Sequence, residues 1–364
     1  MSIPLLEYLR RMVTMDGSDL LLASGFPPAV RVYGSMEPLP VPPLEHEDVL
    51  ELLQSILMPQ EYERIRDDKE IDFAYEGDLA ECGINRFRCN AFVQRNGLSV
   101  VFRRIPWQPP DIEELNLPDG LTNLTAHHNG LVLITGPTGA GKSNTLAALC
   151  RHINEHRAVH MIMIEDPIEF VHYDCQAVVV QRQVGTHVIS FARALKAALR
   201  EDPDVIVIGE LRDLETIQLA LTAAETGHLV MGTMHTISAT HTVSRIVGSF
   251  PAMQQWQVRA MLADSLKGVI AQQLIPRKDG DGCVPAVELM LHTDAIANLI
   301  REDKYHQLPS MIEASQQKGM YLMDHSLLRL VKEDLITPDE ALNHAHSKNE
   351  FQNRLEDIGR KVGE

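Results

Sequence analysis

Gly136-Pro137-Thr138-Gly139-Ala140-Gly141-Lys142-Ser143 follow the spacing G-x-x-x-x-G-K-[ST], a pattern suited to gripping nucleotide phosphates. Its glycines let backbone N–H groups curl around an anion with no Cβ in the way. Lys142 is placed to reach the β- and γ-phosphates of ATP, and the Ser143 hydroxyl to ligate Mg²⁺. Behind this loop, three apolar runs end on polar residues. MIMIEDPIEF presents Glu165, Asp166 and Glu169, DVIVIGELRD presents Glu210, and LVMGTMHTISATH presents His235. One carboxylate can orient or deprotonate an attacking water, and another can hold Mg²⁺ directly or through water. A histidine bonded to the γ-phosphate can report its loss. Taken singly, a glutamate after a strand is an ordinary surface or capping residue. In this order behind a phosphate loop, the set is the layout of a nucleotide hydrolase.

These residues need strands to deliver them. GLVLITG is a short β-branched run suited to a buried strand, and SNTLAALCRHIN has helical apolar spacing. The loop therefore joins a strand to a helix N-terminus, whose free N–H groups and partial positive charge favour an anion. Strands are expected at 131–135, 160–164, 176–181, 204–208 and 228–233, with helices between several of them. That alternation predicts an α/β fold with a mainly parallel sheet carrying ligands at its strand C-terminal ends.

Residues 1–105 read as a smaller α/β domain: a helix over about 4–15, a strand–turn–strand through GFPP, two helices, then antiparallel strands with a hairpin at Asn96-Gly97. The proline-rich PWQPPD opens a linker over 106–124, the nucleotide-binding core follows over 125–290, and 291–364 is helical. Thr337-Pro338-Asp339-Glu340 has the form of a helix start.

The chain has 364 residues and a net charge of −17, which disfavours binding to a nucleic-acid backbone. Its five cysteines are scattered with no C-x-x-C pair, so free thiols in a reducing compartment are expected and a zinc site is not. The N-terminus lacks the features of a signal peptide, and no stretch is long and apolar enough to span a bilayer, so a cytoplasmic location is expected. Met231, Met234, Met253 and Met261 fall at core spacing and read as gap-fillers.

The chain resembles the secretion-superfamily ATPases, most closely the PilT-like type IV pilus retraction ATPases. GSDLLLASGFPPAVRVYG is similar to the family's opening, RFRCNAF and FRRIP to its N-terminal domain strands, and GPTGAGKS to its Walker A loop. EDPIEFVH resembles its aspartate box, IVIGELRDLETIQLALTAAETGHLV its Walker B region, GTMHTISA its histidine box, and AIANLIRE a signature of the retraction group. The resemblance implies a homohexameric ring of subunits, each with a PAS-like N-terminal domain and a RecA-like ATPase domain. The ring would sit at the inner membrane against a pilus platform protein and act on the pilin fibre indirectly. It implies Glu165 as catalytic base, Glu210 as support for Mg²⁺ and water, and His235 and His228 as phosphate sensors. Arg88 and Arg103 are implied as fingers to phosphate, against the alternative of a solvated strand face. Departures from the family pattern are Asn144 beside the loop where Thr is common, Lys196 where Arg is usual, and Ala297 in place of the signature's Arg. Lys cannot make the planar two-pronged contact of Arg, which weakens an interface role at 196. A related secretion motor, an accessory retraction paralogue and a slow-hydrolysing regulator are the competing readings.

Overall fold

A computed structural model describes residues 3–360 apart from Tyr33, Pro106, Trp107 and Asp281, and omits the side chains of Gln60 and Asp119. Pro106 and Trp107 of the expected linker thus lie outside the described residues. The chain divides into two units, one of residues 1–108 with 167–171, the other of 109–166 with 172–364.

The first unit contains α1 (Leu5–Thr14), β1 (Asp19–Ala23), β2 (Ala29–Val32), β3 (Ser35–Pro38), α2 (His46–Gln54), α3 (Pro59–Asp68), β4 (Glu70–Asp78), β5 (Ile84–Gln94) and β6 (Gly97–Ile105). Its strands form one antiparallel sheet in the order β3-β2-β1-β6-β5-β4. Alternation puts Leu20, Leu22, Phe87, Cys89, Val100 and Phe102 into a core with Leu9 and Met12 of α1 and Val49 and Leu53 of α2. Gln94 pairs with Gly97, so the hairpin turns on Arg95 and Asn96, and Gly97 takes φ +130°.

The second unit contains β7 (Gly130–Thr135), α4 (Lys142–His156), β8 (His160–Glu165), β9 (Val178–Gln183), α5 (Phe191–Ala198), β10 (Val205–Ile208), α6 (Leu214–Glu225), β11 (Leu229–Met234), α7 (Ala239–Gly248), α8 (Ala252–Ser265), β12 (Leu266–Pro276) and β13 (Cys283–Leu291). Among the described residues five α-helices follow: α9 (Asp294–Arg301), α10 (Leu308–Ala314), α11 (Met323–Lys332), α12 (Pro338–His344) and α13 (Lys348–Asp357). The sheet order is β13-β12-β7-β11-β10-β8-β9, parallel except for β13. Both faces are buried. Leu131, Leu133, Ile162, Ile164, Ile206 and Ile208 point to one core, whereas Val132, Ile134, Met161, Met163, Val205 and Val207 point to the other. Double coverage is what makes these strands continuous apolar runs.

The five expected strands of this sheet lie within a residue or two of those observed. β12 and β13 were not among them, because a long hairpin at residues 266–291 lacks the strand–helix alternation that marked the others. Thr337 accepts the Glu340 N–H at 3.2 Å and Pro338 opens α12, as its sequence predicts. All five cysteines are free. Met231 and Met234 are buried and Met261 packs on the core, but Met253 is 89% exposed at the start of α8 and fills no gap.

Candidate nucleotide site

β7 ends at Thr135 and α4 starts at Lys142, so the loop between them spans a strand tip and a helix N-terminus. The first α4 residues leave N–H groups without intrahelical acceptors. Gly139 and Gly141 adopt φ of +79° and +81°, a left-handed region that favours glycine. A Cβ on Gly139 would project into open space, whereas one on Gly141 would lie 2.8 Å from Gln272 Nε2. One side of the loop is thus braced by protein and the other is clear for a ligand. The brace is Gln272 of β12, which is buried and accepts the Thr145 hydroxyl at 2.7 Å. Ser143 and Asn144 are exposed at the helix start.

Lys142 folds back across the loop. Its ammonium donates to Gly136 O at 2.8 Å and Pro137 O at 2.9 Å, and lies 3.3 Å from His235 Nδ1. On the other side of the ring, His235 Nε2 is 3.2 Å from Glu210 Oε1, and Glu210 Oε2 is 2.7 Å from Arg212 Nη2. An ammonium can only donate, so Nδ1 accepts and Nε2 carries the proton toward Glu210. The result is a polar chain Lys142–His235–Glu210–Arg212 running along the tips of β7, β11 and β10. Burial alone would push the Glu210 carboxyl up, but the hydrogen bond and charge of Arg212, with His235, leave it below the ordinary glutamate range.

Glu165 is the last residue of β8, adjacent to β10 in the sheet. Its Oε1 accepts the Gln181 Nε2–H at 2.8 Å. The structure therefore brings Gly136–Asn144, Glu165, Glu210 and His235 to one edge of one sheet. His228 is not brought there. It precedes β11 at the opposite end of the strand, beside Gly130, with Nδ1 3.0 Å from Ala223 O. A strand of this length separates it from the loop of its own chain by roughly 20 Å. Its family-derived role as a sensor in the same site is corrected on that ground.

Arg88 and Arg103 belong to the first unit, where they face each other as register partners on β5 and β6. Arg103 Nε donates to Asp19 Oδ1 at 2.8 Å, and Arg88 Nη1 lies 3.5 Å from Glu169 Oε1. Lys196 is exposed on α5. Ala297 is buried in the α9 face that joins the core, so no surface contact is available at 297 in this chain. Sequence reasoning did not single out Gln181, Gln272 or Arg212. The first two lie inside strands, where a lone Gln carries no signal; Arg212 sits two residues past Glu210 and could have been found by asking what neutralises it.

The model of the type II/IV secretion system protein family matches residues 64–332. The Pseudomonas aeruginosa protein named type IV pilus retractation ATPase PilT is 46% identical over 345 residues, covering 95% of this chain and 99% of its own. A Neisseria gonorrhoeae twitching motility protein is 45% identical over 320 residues, 88% of this chain and 84% of its own. A solved structure described as the pilus retraction motor PilT with bound ADP superposes with a TM-score of 0.89 at 42% identity, covering 96% of this chain and 98% of that one.

Proposed function

The chain is an ATPase of the type II/IV secretion system protein family, with a RecA-like fold, and from that premise we propose that it powers type IV pilus retraction as a homohexameric, cytoplasmic motor at the inner membrane. The direction of work rests on relatives named for retraction and twitching whose similarity runs through nearly all of both chains. The observation that carries ATP cleavage is the chain Lys142–His235–Glu210 beside the braced loop, with Glu165 on the adjoining strand tip.

In this reading Lys142 exchanges His235 for a γ-phosphate oxygen, while the N–H groups of the loop hold the β-phosphate. Glu165 takes the proton of the attacking water as the bond to ADP breaks. Among the described residues, no cluster of three or more histidine, cysteine or carboxylate side chains could hold a metal alone. The residues present would suit Mg²⁺ brought by the nucleotide: the Ser143 hydroxyl would be its protein ligand, and Glu210, engaged by His235 and Arg212, would act through water. Such an ion would offset phosphate charge. Loss of the γ-phosphate would be felt at Lys142 and, through the His235 imidazole, at Glu210. Arg88 and Arg103 are proposed to neutralise developing phosphate charge by trading Glu169 and Asp19 for it. The platform protein is the proposed recipient of the motion.

Purified wild-type protein should hydrolyse ATP, and Glu165→Gln should lose turnover by about 10³-fold while still binding ATP. Deleting the gene should raise surface pilus number and abolish twitching, with no rescue by Glu165→Gln. Equal turnover in both proteins would overturn the base assignment, and fewer pili after deletion would overturn the direction.

A further inference from the structure

Glu165 sits on a flexible two-carbon stem at the very end of β8, and a general base must hold its carboxylate within hydrogen-bond reach of one water. What steadies it is on the neighbouring edge strand. In the β8–β9 register Glu165 faces Gln183 directly and Gln181 diagonally, since Gln181 pairs with Met163. Residues two apart share a face, so both amides are on the side of Glu165. The directly opposed Gln183 gives its Nε2–H to the Thr186 hydroxyl at 3.2 Å. The diagonal Gln181 reaches the carboxylate, at 2.8 Å to Oε1.

Gln181 is itself fixed at its other end. Its Oε1 accepts the backbone N–H of His172 at 2.9 Å. A backbone N–H can meet only the oxygen of the amide and a carboxylate only its nitrogen, so the two contacts set the amide's orientation and bar its flip. The His172 side chain beside that N–H is buried, and burial pushes the imidazole down to about 4, so it stays neutral near pH 7 and brings no charge to the contact. A neutral amide also suits the task better than a cation. It favours the ionised carboxylate and aims it, yet adds no charge that would hold the proton-accepting oxygen too tightly.

We propose that Gln181 is a positioning residue for ATP hydrolysis, tying one oxygen of Glu165 to the His172 main chain so that the carboxylate is aimed at the attacking water. The inference rests on Glu165 being the base, which Glu165→Gln tests separately.

The experiment measures kcat, KM for ATP and the pH dependence of kcat in the full-length protein. Gln181→Met keeps the length of the side chain and removes both the donor to Glu165 and the acceptor of the His172 N–H. It should lower kcat by about tenfold or more with KM within about twofold, and move the acid limb of the profile to higher pH. Gln181→Glu keeps an acceptor for His172 N–H and places a negative charge against Glu165; it should move the limb further. In a Glu165→Gln background neither substitution should lower turnover again. Gln181→Met and Gln181→Glu with wild-type kcat and an unmoved limb would overturn the proposal while leaving an inactive Glu165→Gln, and so the base assignment, intact. Should Gln181→Met fold poorly, Gln181→Glu decides alone. A fall in thermal stability with an unmoved limb would reduce Gln181 to a strand cross-link and sink the proposal.

Discussion

The two sheets of this protein keep their charges in different places. In the antiparallel sheet they form a row across the strands: Arg31, Asp19 at the start of β1, Arg103 and Arg88 are successive register partners across β2, β1, β6 and β5. In the seven-stranded sheet both faces are filled by apolar side chains, and the groups assembled around the loop lie at strand tips. Helices cover both sides of a parallel sheet and leave its ends as the open place, whereas a sheet with one uncovered face can carry polar groups along its strands. Where a charge sits along its strand thus constrains its work. A mid-strand charge is held by its neighbours, and a tip charge opens on a loop that can receive a ligand.

The row of arginines is where this contrast can be broken most sharply. Arg88 and Arg103 are directly opposed like charges, an unfavourable pairing that Asp19 and Glu169 offset. If the pair neutralises phosphate charge, Arg88→Ala and Arg103→Ala should each lower turnover by about 10³-fold with ATP binding retained, as removal of an arginine finger does. Steady-state ATPase assays with nucleotide titration read this out. Asp19→Asn, which removes only the arginine's carboxylate partner, should stay within a few-fold of wild type. Wild-type turnover in both arginine variants would leave the row a solvated face and restrict the chemistry to the strand tips.

A second test separates mid-strand from tip within one sheet. Glu288 lies in the middle of β13, 2% exposed, and accepts the Ala239 N–H at 2.7 Å and the Met323 N–H at 3.4 Å, at the starts of α7 and α11. Burial pushes its carboxyl up, and the two N–H bonds only partly pull it back. Glu288→Ala should destabilise the protein by about 2–4 kcal/mol by orphaning buried donors, with turnover per folded molecule unchanged. The sign of the pH effect follows from the raised pKa. The stabilisation linked to the neutral carboxyl is complete below the ordinary glutamate range and is lost as pH rises through the folded value. Urea denaturation should therefore show wild type losing stability over that window, while Glu288→Gln stays flatter. A Glu288→Ala protein of normal stability would end the distinction.

The same contrast explains what could be read from the amino acids. Tip residues announce themselves, because an apolar run ending on Glu165, Glu210 or His235 breaks a pattern. The loop announces itself by glycine spacing. Mid-strand residues do not. Arg103 obeys the alternation of any half-exposed strand, and Gln181 and Gln272 acquire meaning only through partners brought by sheet register and by the β12–β13 hairpin. His228 shows the opposite hazard: seven residues before His235 in a short motif, it is carried to the far end of β11 by the strand between them.

The smallest effect is the most diagnostic of the tip chain. Glu210 is pulled in two directions, with burial raising its pKa and Arg212 and His235 outweighing that. Arg212→Ala removes the larger of the lowering partners, so the carboxyl should rise and the acid limb of the turnover profile should move to higher pH. The move should be small, because Arg212 is largely exposed and its charge is screened by water. Well above the limb the variant should match wild type within about twofold, since Glu210 is then ionised in both. Raising the salt should shrink the difference between the two profiles, as screening weakens the pair in wild type. A limb that stays in place would mean that Glu165, and not Glu210, sets it, and that Arg212 tunes no group that limits turnover in acid.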